Sequence, residues 1–143
     1  MKTILMIGAG FLQSFVIKRA KELGYHTLCI DGNPHAPGFA DADDCACIDI
    51  VNTDACLAYA RQCSIDGVLT AATDYGVLTA SRIAETLGLP GLPYTAAATV
   101  KNKYDVRRAL SAADADDTGT VYDIHAQTDL AGLAKRLPDP SHG

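Results

Sequence analysis

Two hydrophobic rhythms alternate along this chain. Residues 3–7, TILMI, form a short apolar run closed by Gly8, the pattern of a strand buried on both faces. From Phe11 to Leu23 the spacing turns helical, with Leu12, Phe15, Val16, Ala20 and Leu23 expected to face inward. Lys18, Arg19, Lys21 and Glu22 fall mainly between them, and Gly24 sits where a helix C-terminus favours glycine. Residues 26–30, HTLCI, predict a second strand ending at Asp31, and DGNPHAPG after it predicts a loop. DDCACIDI holds a short third strand, Thr53 and Asp54 open a helix to about Cys63, and DGVLTAA is a fourth strand. Asp74 is placed to cap a helix running to Leu87, with Val77, Leu78, Ser81, Ala84 and Leu87 inward.

This strand–helix alternation predicts an α/β fold: a parallel sheet of about four strands with helices on both faces, in a Rossmann-like order. Gly88 to Pro93 breaks the pattern, so the expected division is a Rossmann-like domain over 1–93 and a smaller α+β extension over 94–143. The extension reads as one broken or two short helices over 94–112, a polar link at 114–117 and a strand over 118–125. A helix over 128–137 follows, with Thr128 as its N-cap.

Composition narrows the class. The chain has 143 residues, 48% hydrophobic and 20% charged, which suits an ordinary globular protein. A net charge of −5 argues against nucleic acid and anionic membranes as partners, since both reward a basic surface. No apolar run has the length of a bilayer span, and the start lacks a signal-peptide layout, so a cytoplasmic location is expected. The cysteines are Cys29, Cys45, Cys47, Cys56 and Cys63. They suit small apolar positions in a reducing compartment. Cys45-Ala-Cys47 puts two thiols on one strand face by period 2, and no familiar zinc spacing completes a metal set.

In such sheets ligands sit beyond the carboxyl ends of the strands, and Gly8–Gly10, Asp31–Gly38 and Ala72–Asp74 all fall on that edge. Gly8 and Gly10 allow a tight turn whose amides open a helix, an intrinsic anion site. A dinucleotide fingerprint needs a third glycine, and Gln13 stands in its place; Asp31, 21 positions after Gly10, is where a ribose-binding acid would lie. The residues alone leave open an NAD(P)-binding oxidoreductase module, a turn that merely prefers glycine, and a non-catalytic metabolite-binding domain. Asn33 and His35 shape a turn or meet a substrate; Thr73 and Asp74 cap a helix or do the same. Lys101, Lys103, Arg107 and Arg108 reverse the acidic balance locally, a pattern that suits a polyphosphate or a solvated helix face.

Taken in order, ILMIGAGFLQSFVIKRAKELGYHTLCIDGNPHAPGFADADD, DGVLTAATDYGVLTASRIAETLGLPG and KNKYDVRRAL resemble the N-terminal, pre-ATP-grasp part of the ATP-grasp superfamily. The likeness is to its carboxylate–amine ligase and carbamoyl-phosphate-synthase-like branch. It extends over about residues 2–137. It implies a Rossmann-like domain that binds no dinucleotide and walls one side of a carboxylate or amine substrate site, with Gly8, Gly10, Gln13, Asp31, Asn33, Thr73 and Asp74 at that wall. It implies that Lys103 contacts ATP phosphates, with ATP and magnesium activating a carboxylate as an acyl phosphate in the full enzyme. In the family a strand carrying a second ATP lysine follows; here PDPSHG stands there, and no adenine pocket or acidic metal ligands follow. The expectation is therefore no catalytic residue on this chain, no tight ATP binding alone, and a partner in a complementary ATP-grasp chain or a second copy. An expressed N-terminal piece, a shortened gene and one half of a split enzyme all fit that reading.

Overall fold

The computed structural model describes residues 1–115, 122–124 and 128–135. Four strands, β1 (Thr3–Ile7), β2 (His26–Asp31), β3 (Asp44–Cys47) and β4 (Gly67–Thr70), make one sheet in the order β3-β2-β1-β4. Every pairing is parallel, with Ile7 beside both Ile30 and Thr70 and Asp31 beside Cys47. The helices are α1 (Phe11–Glu22), α2 (Thr53–Cys63), α3 (Tyr75–Leu87), α4 (Tyr94–Lys101), α5 (Lys103–Ala112) and α6 (Leu130–Ala134), and a 3-10 turn spans Pro37–Ala40. The expected Rossmann-like parallel sheet is what forms, because the apolar runs of the two central strands, β1 and β2, need cover on both faces.

Strand alternation divides the core in two. Leu5, Ile7, Leu28 and Ile30 pack with Cys56 and Ala60 of α2, Ile65, and Ile83 of α3. Met6 and Cys29 point the other way and pack with Ala9, Ile17 of α1 and Ala36. Full burial of each large aliphatic side chain contributes about 1.5–3 kcal/mol, so these few positions fix the register.

The inner face of α1 is only partly the one its hydrophobic spacing predicts: Ala20 is buried and Val16 half-buried as expected, but Leu12, Phe15 and Leu23 are not. Gln13, Ser14, Ile17 and Ala20 are buried, whereas Phe11 (68%), Leu12 (56%), Phe15 (56%) and Leu23 (59%) are exposed. The helix lies close to the glycine turn and the loop before β3, and close approach there selects small or specifically bonded side chains over bulky ones. Phe11 and Phe15 stack edge to face on the solvent side, ring centres 5.2 Å apart. On α3 the buried set is Gly76, Thr79, Ser81, Ile83 and Ala84, so Ser81 and Ala84 face inward as expected while Val77, Leu78 and Leu87 are only half-buried.

Helix caps also shift in part from their expected residues. α2 opens at Thr53 as expected, and Asn52 before it supplies the cap by accepting the Ala55 N–H at 3.2 Å. Asp129, rather than Thr128, caps α6 by accepting the Gly132 N–H at 3.0 Å. Residues 94–112 do form two short helices. The strand expected over 118–125 lies mostly outside the described residues; Tyr122, Asp123 and Ile124 are not in a strand.

The chain forms two compact units, Met1–Asn102 and Lys103–Gly143. In the first, α4 is tied to α3 by Arg82 over the Tyr94 ring at 3.7 Å, and Lys101 lies over the Tyr75 ring at 5.3 Å. In the second, Arg108 lies over the Tyr104 ring at 5.6 Å on α5. No helix among the described residues is long and apolar enough to cross a membrane.

Candidate functional site

The carboxyl edge of the sheet gathers three turns in the first unit. The first follows β1. Gly8 has φ +96°, a conformation L side chains rarely adopt, and its N–H donates to the Ile30 carbonyl at 2.8 Å. Gly10 then takes the N-cap place of α1, so the first-turn amides of the helix point outward without intrahelical acceptors. The second turn follows β2. Asp31 accepts the Ala9 N–H through Oδ2 and the Asn33 N–H through Oδ1, both at 2.8 Å, and so clasps the two turns together. Asn33 Oδ1 in turn accepts the His35 N–H at 3.0 Å. Gly38 N–H donates to the Ala9 carbonyl at 2.7 Å, and a Cβ at Gly38 would stand 2.8 Å from that oxygen. Only glycine permits that approach.

Gln13 resolves the question its position raises. Its side chain is buried and folds under the glycine turn, where Nε2 donates to the carbonyl of Ala71 after β4. A Cβ on Gly10 would lie 2.8 Å from Gln13 Oε1, and one on Gly8 would touch Gln13 Cγ at 3.7 Å. Gly10 is therefore accounted for by the glutamine beneath it. Through its amide the glutamine ties the first turn to the third.

In that third turn Ala72 adopts φ +54°, a strained value for a residue with a Cβ, and nothing in an alanine announces it. Thr73 Oγ1 accepts the Tyr75 N–H at 3.2 Å, so the threonine secures the entry to α3. Asp74 occupies the N-cap position but makes no side-chain cap, which corrects the capping role expected for it and leaves its exposed carboxylate facing solvent at this edge.

Asp31 thus bonds both the first turn, at Ala9, and Asn33, while Gln13 packs beneath Gly8 and Gly10 and bonds the turn that carries Thr73 and Asp74. His35 lies exposed on the loop of Asn33. Lys103 is exposed at the start of α5 in the second unit. Among the described residues no three His, Cys, Asp or Glu side chains group to hold a metal ion. Burial pushes the Cys29 thiol up to about 12 and the Cys56 thiol up to about 11, which keeps both protonated and out of nucleophilic chemistry. Sequence reasoning missed Ala71 and Ala72 because their contribution is a carbonyl and a backbone angle.

Comparison with known proteins agrees with this fold. The signature of the ATP-grasp N-terminal domain matches residues 17–91, which include Asp31, Asn33, Thr73 and Asp74. Phosphoribosylglycinamide synthetase from Anaerococcus prevotii superposes with a TM-score of 0.79 at 30% identity, over 97% of this chain and 35% of that one. L-amino acid ligase from Bacillus licheniformis gives 0.63 at 22% identity, over 78% and 30%. The ADP complex of N5-carboxyaminoimidazole synthetase from Staphylococcus aureus gives 0.65 at 18% identity, over 78% and 30%. At these identities the last two share the fold alone. The chain spans about a third of the length of these structures. No curated protein matches the sequence significantly. Three turns braced on a β3-β2-β1-β4 parallel sheet, with the family signature across more than half the chain, make this chain a member of the ATP-grasp N-terminal domain family.

Proposed function

We propose that this chain is the acceptor-substrate side of an ATP-dependent carboxylate–amine ligase. The observation that carries the reading is the braced carboxyl edge: outward amides at Gly10–Leu12, the Asp31–Asn33 turn, and the Thr73–Asp74 turn with its uncommitted carboxylate. Amides at a helix start suit a carboxylate, and Asp74 suits an ammonium, so a molecule bearing both groups is the natural occupant. Gly8 and Gln13 shape the floor, Asp31 and Asn33 one rim, and Thr73 and Asp74 the other.

In the complete ligase, ATP with magnesium supplies the activating phosphoryl group. Lys103 is the residue of this chain that meets the ATP phosphates, as a point charge. Phosphoryl transfer needs several donors and a metal positioned together, so one lysine does not turn ATP over. The chain is therefore inactive alone and works with an ATP-grasp domain, whether in a longer chain, a complementary chain or a second copy. The dinucleotide reading loses its support at Gln13, which stands where the fingerprint has its packing glycine and is committed to the Ala71 carbonyl, and at Asp31, whose two oxygens already hold amides.

Phosphate release from ATP, measured across a panel of amino acids and carboxylates, tests the reading. The expected result is no release by the chain alone and substrate-dependent release with a complementary ATP-grasp chain. Turnover by the lone chain, or saturable micromolar binding of NAD(H) or NADP(H), would overturn it.

A further inference from the structure

Free cysteine is among the most buried residue types, and Cys29 and Cys56 conform, while Cys63 is half-buried. Cys45 and Cys47 do not: both are exposed. They alternate on β3, so their side chains share one face of an edge strand. Neither belongs to either apolar cluster, and packing therefore does not account for them.

We propose that Cys45 and Cys47 form a two-thiolate site for a soft, two-coordinate monovalent cation of the Cu(I) class. The spacing selects this ligand. Alternate residues of a strand lie about 6.6 Å apart, and their same-face Cβ atoms are similarly separated. A disulfide requires Cβ atoms within about 3.5–4.5 Å, so a direct S–S bond would buckle β3 and break its ladder with β2. An intervening ion adds two metal–sulfur bonds of about 2.3 Å each, so sulfur atoms about 4.6 Å apart bridge the strand spacing with a small inward tilt. Thiolates prefer Cu(I) or zinc among biological metals, but zinc takes four ligands, and no third protein ligand joins this pair among the described residues.

On binding, each thiol releases one proton to solvent, so one monovalent cation replaces two protons and the site becomes one unit more negative. Cys47 Sγ lies 3.6 Å from the Gly32 carbonyl, which its S–H faces, and Cys47 pairs in register with Asp31. An ion on Cys47 removes that proton from the Gly32 carbonyl, at the root of the Asp31–Gly38 loop.

The test is titration of the reduced chain, without oxygen, against Cu(I) held by a coloured chelator. One Cu(I) per chain is expected, with new ultraviolet thiolate–metal absorption. Cys45→Ser and Cys47→Ser should each lower affinity by more than about 100-fold, beyond the 10–100-fold of a lost supporting contact. Native thiol labelling gives a second measure: two fast thiols in the free chain, none once one Cu(I) is bound, with circular dichroism reporting that each variant is folded. Uptake unchanged in the double serine variant would overturn the proposal. So would one ion shared by two chains, or a Cys45–Cys47 disulfide that mild oxidation forms while the fold is retained.

Discussion

Helices α1 and α3 both leave the carboxyl edge of the sheet after a tight turn, yet they are held by different forces. α3 is seated by Ile83 in the larger core, with Ala80 and Leu87 packed against it and Thr79 donating to the Ile50 carbonyl at 2.7 Å. α1 buries one large aliphatic residue, Ile17. Beside Ala20 and the half-buried Val16, its ties are polar: Gln13 to the Ala71 carbonyl at one end, Lys18 to Asp41 at 3.5 Å, and Lys21 to Asp43 at 2.9 Å at the other. A helix over a crowded turn gains order from directed bonds where it has no room for bulk. It then leaves its bulky residues, Phe11, Leu12 and Phe15, outside.

The sharpest contrast is between core truncations. Ile83→Ala should cost about 2–5 kcal/mol in urea unfolding, toward the upper part of that range. Ile17→Ala should cost less, because Ile83 sits in a cluster of eight buried residues and Ile17 in one of five. Equal losses would break the comparison. Next comes Gln13→Leu, which keeps the bulk but leaves the Ala71 carbonyl without its donor, for a loss of about 1–3 kcal/mol. Gln13→Glu should be worse, since it sets a carboxylate against that carbonyl; if Gln13→Glu proved harmless, the amide brace would not be what holds the turns.

Acid should act on the C-terminal end of α1. The Thr27 N–H, then Lys21, hold the Asp43 carboxyl down to about 2 from 3.8. A group lowered in this way stabilises the fold fully above about pH 4 and loses that contribution as pH falls through 2. Asp43→Asn should therefore be less stable than the parent at pH 6 and nearly equal to it at pH 2; a gap that persists at pH 2 would refute the cause given. The smallest effect is Phe15→Ala, expected to change stability by no more than about 1 kcal/mol, since the edge-to-face pair is on the solvent side.

The sheet, its order and its edge were legible because runs such as TILMI and HTLCI have one physical use, burial between two layers, and crossover handedness does the rest. What stayed illegible was orientation. Spacing marked a stripe through Leu12, Phe15, Val16, Ala20 and Leu23 on α1; Ala20 is buried and Val16 half-buried as it indicates, but the rest of the inner face is Gln13, Ser14 and Ile17, and Leu12, Phe15 and Leu23 are left outside. Caps also departed: Asp74 makes no side-chain cap while Thr73 accepts the Tyr75 N–H, and at α6 Asp129 rather than Thr128 supplies the capping oxygen, to the Gly132 N–H.

The clasp formed by Asp31, Ala9 and Gly38 has a consequence for ligand capture. Two loops fastened to each other through backbone amides lose little further freedom when a small molecule arrives, so the entropy of ordering is settled during folding and not at each encounter. On the proposed reading of this edge as a substrate wall, selectivity there is rigid: it rejects a molecule of the wrong shape without adapting to it, and altering its preference calls for changes in the fastened backbone as well as in the side chains that face outward.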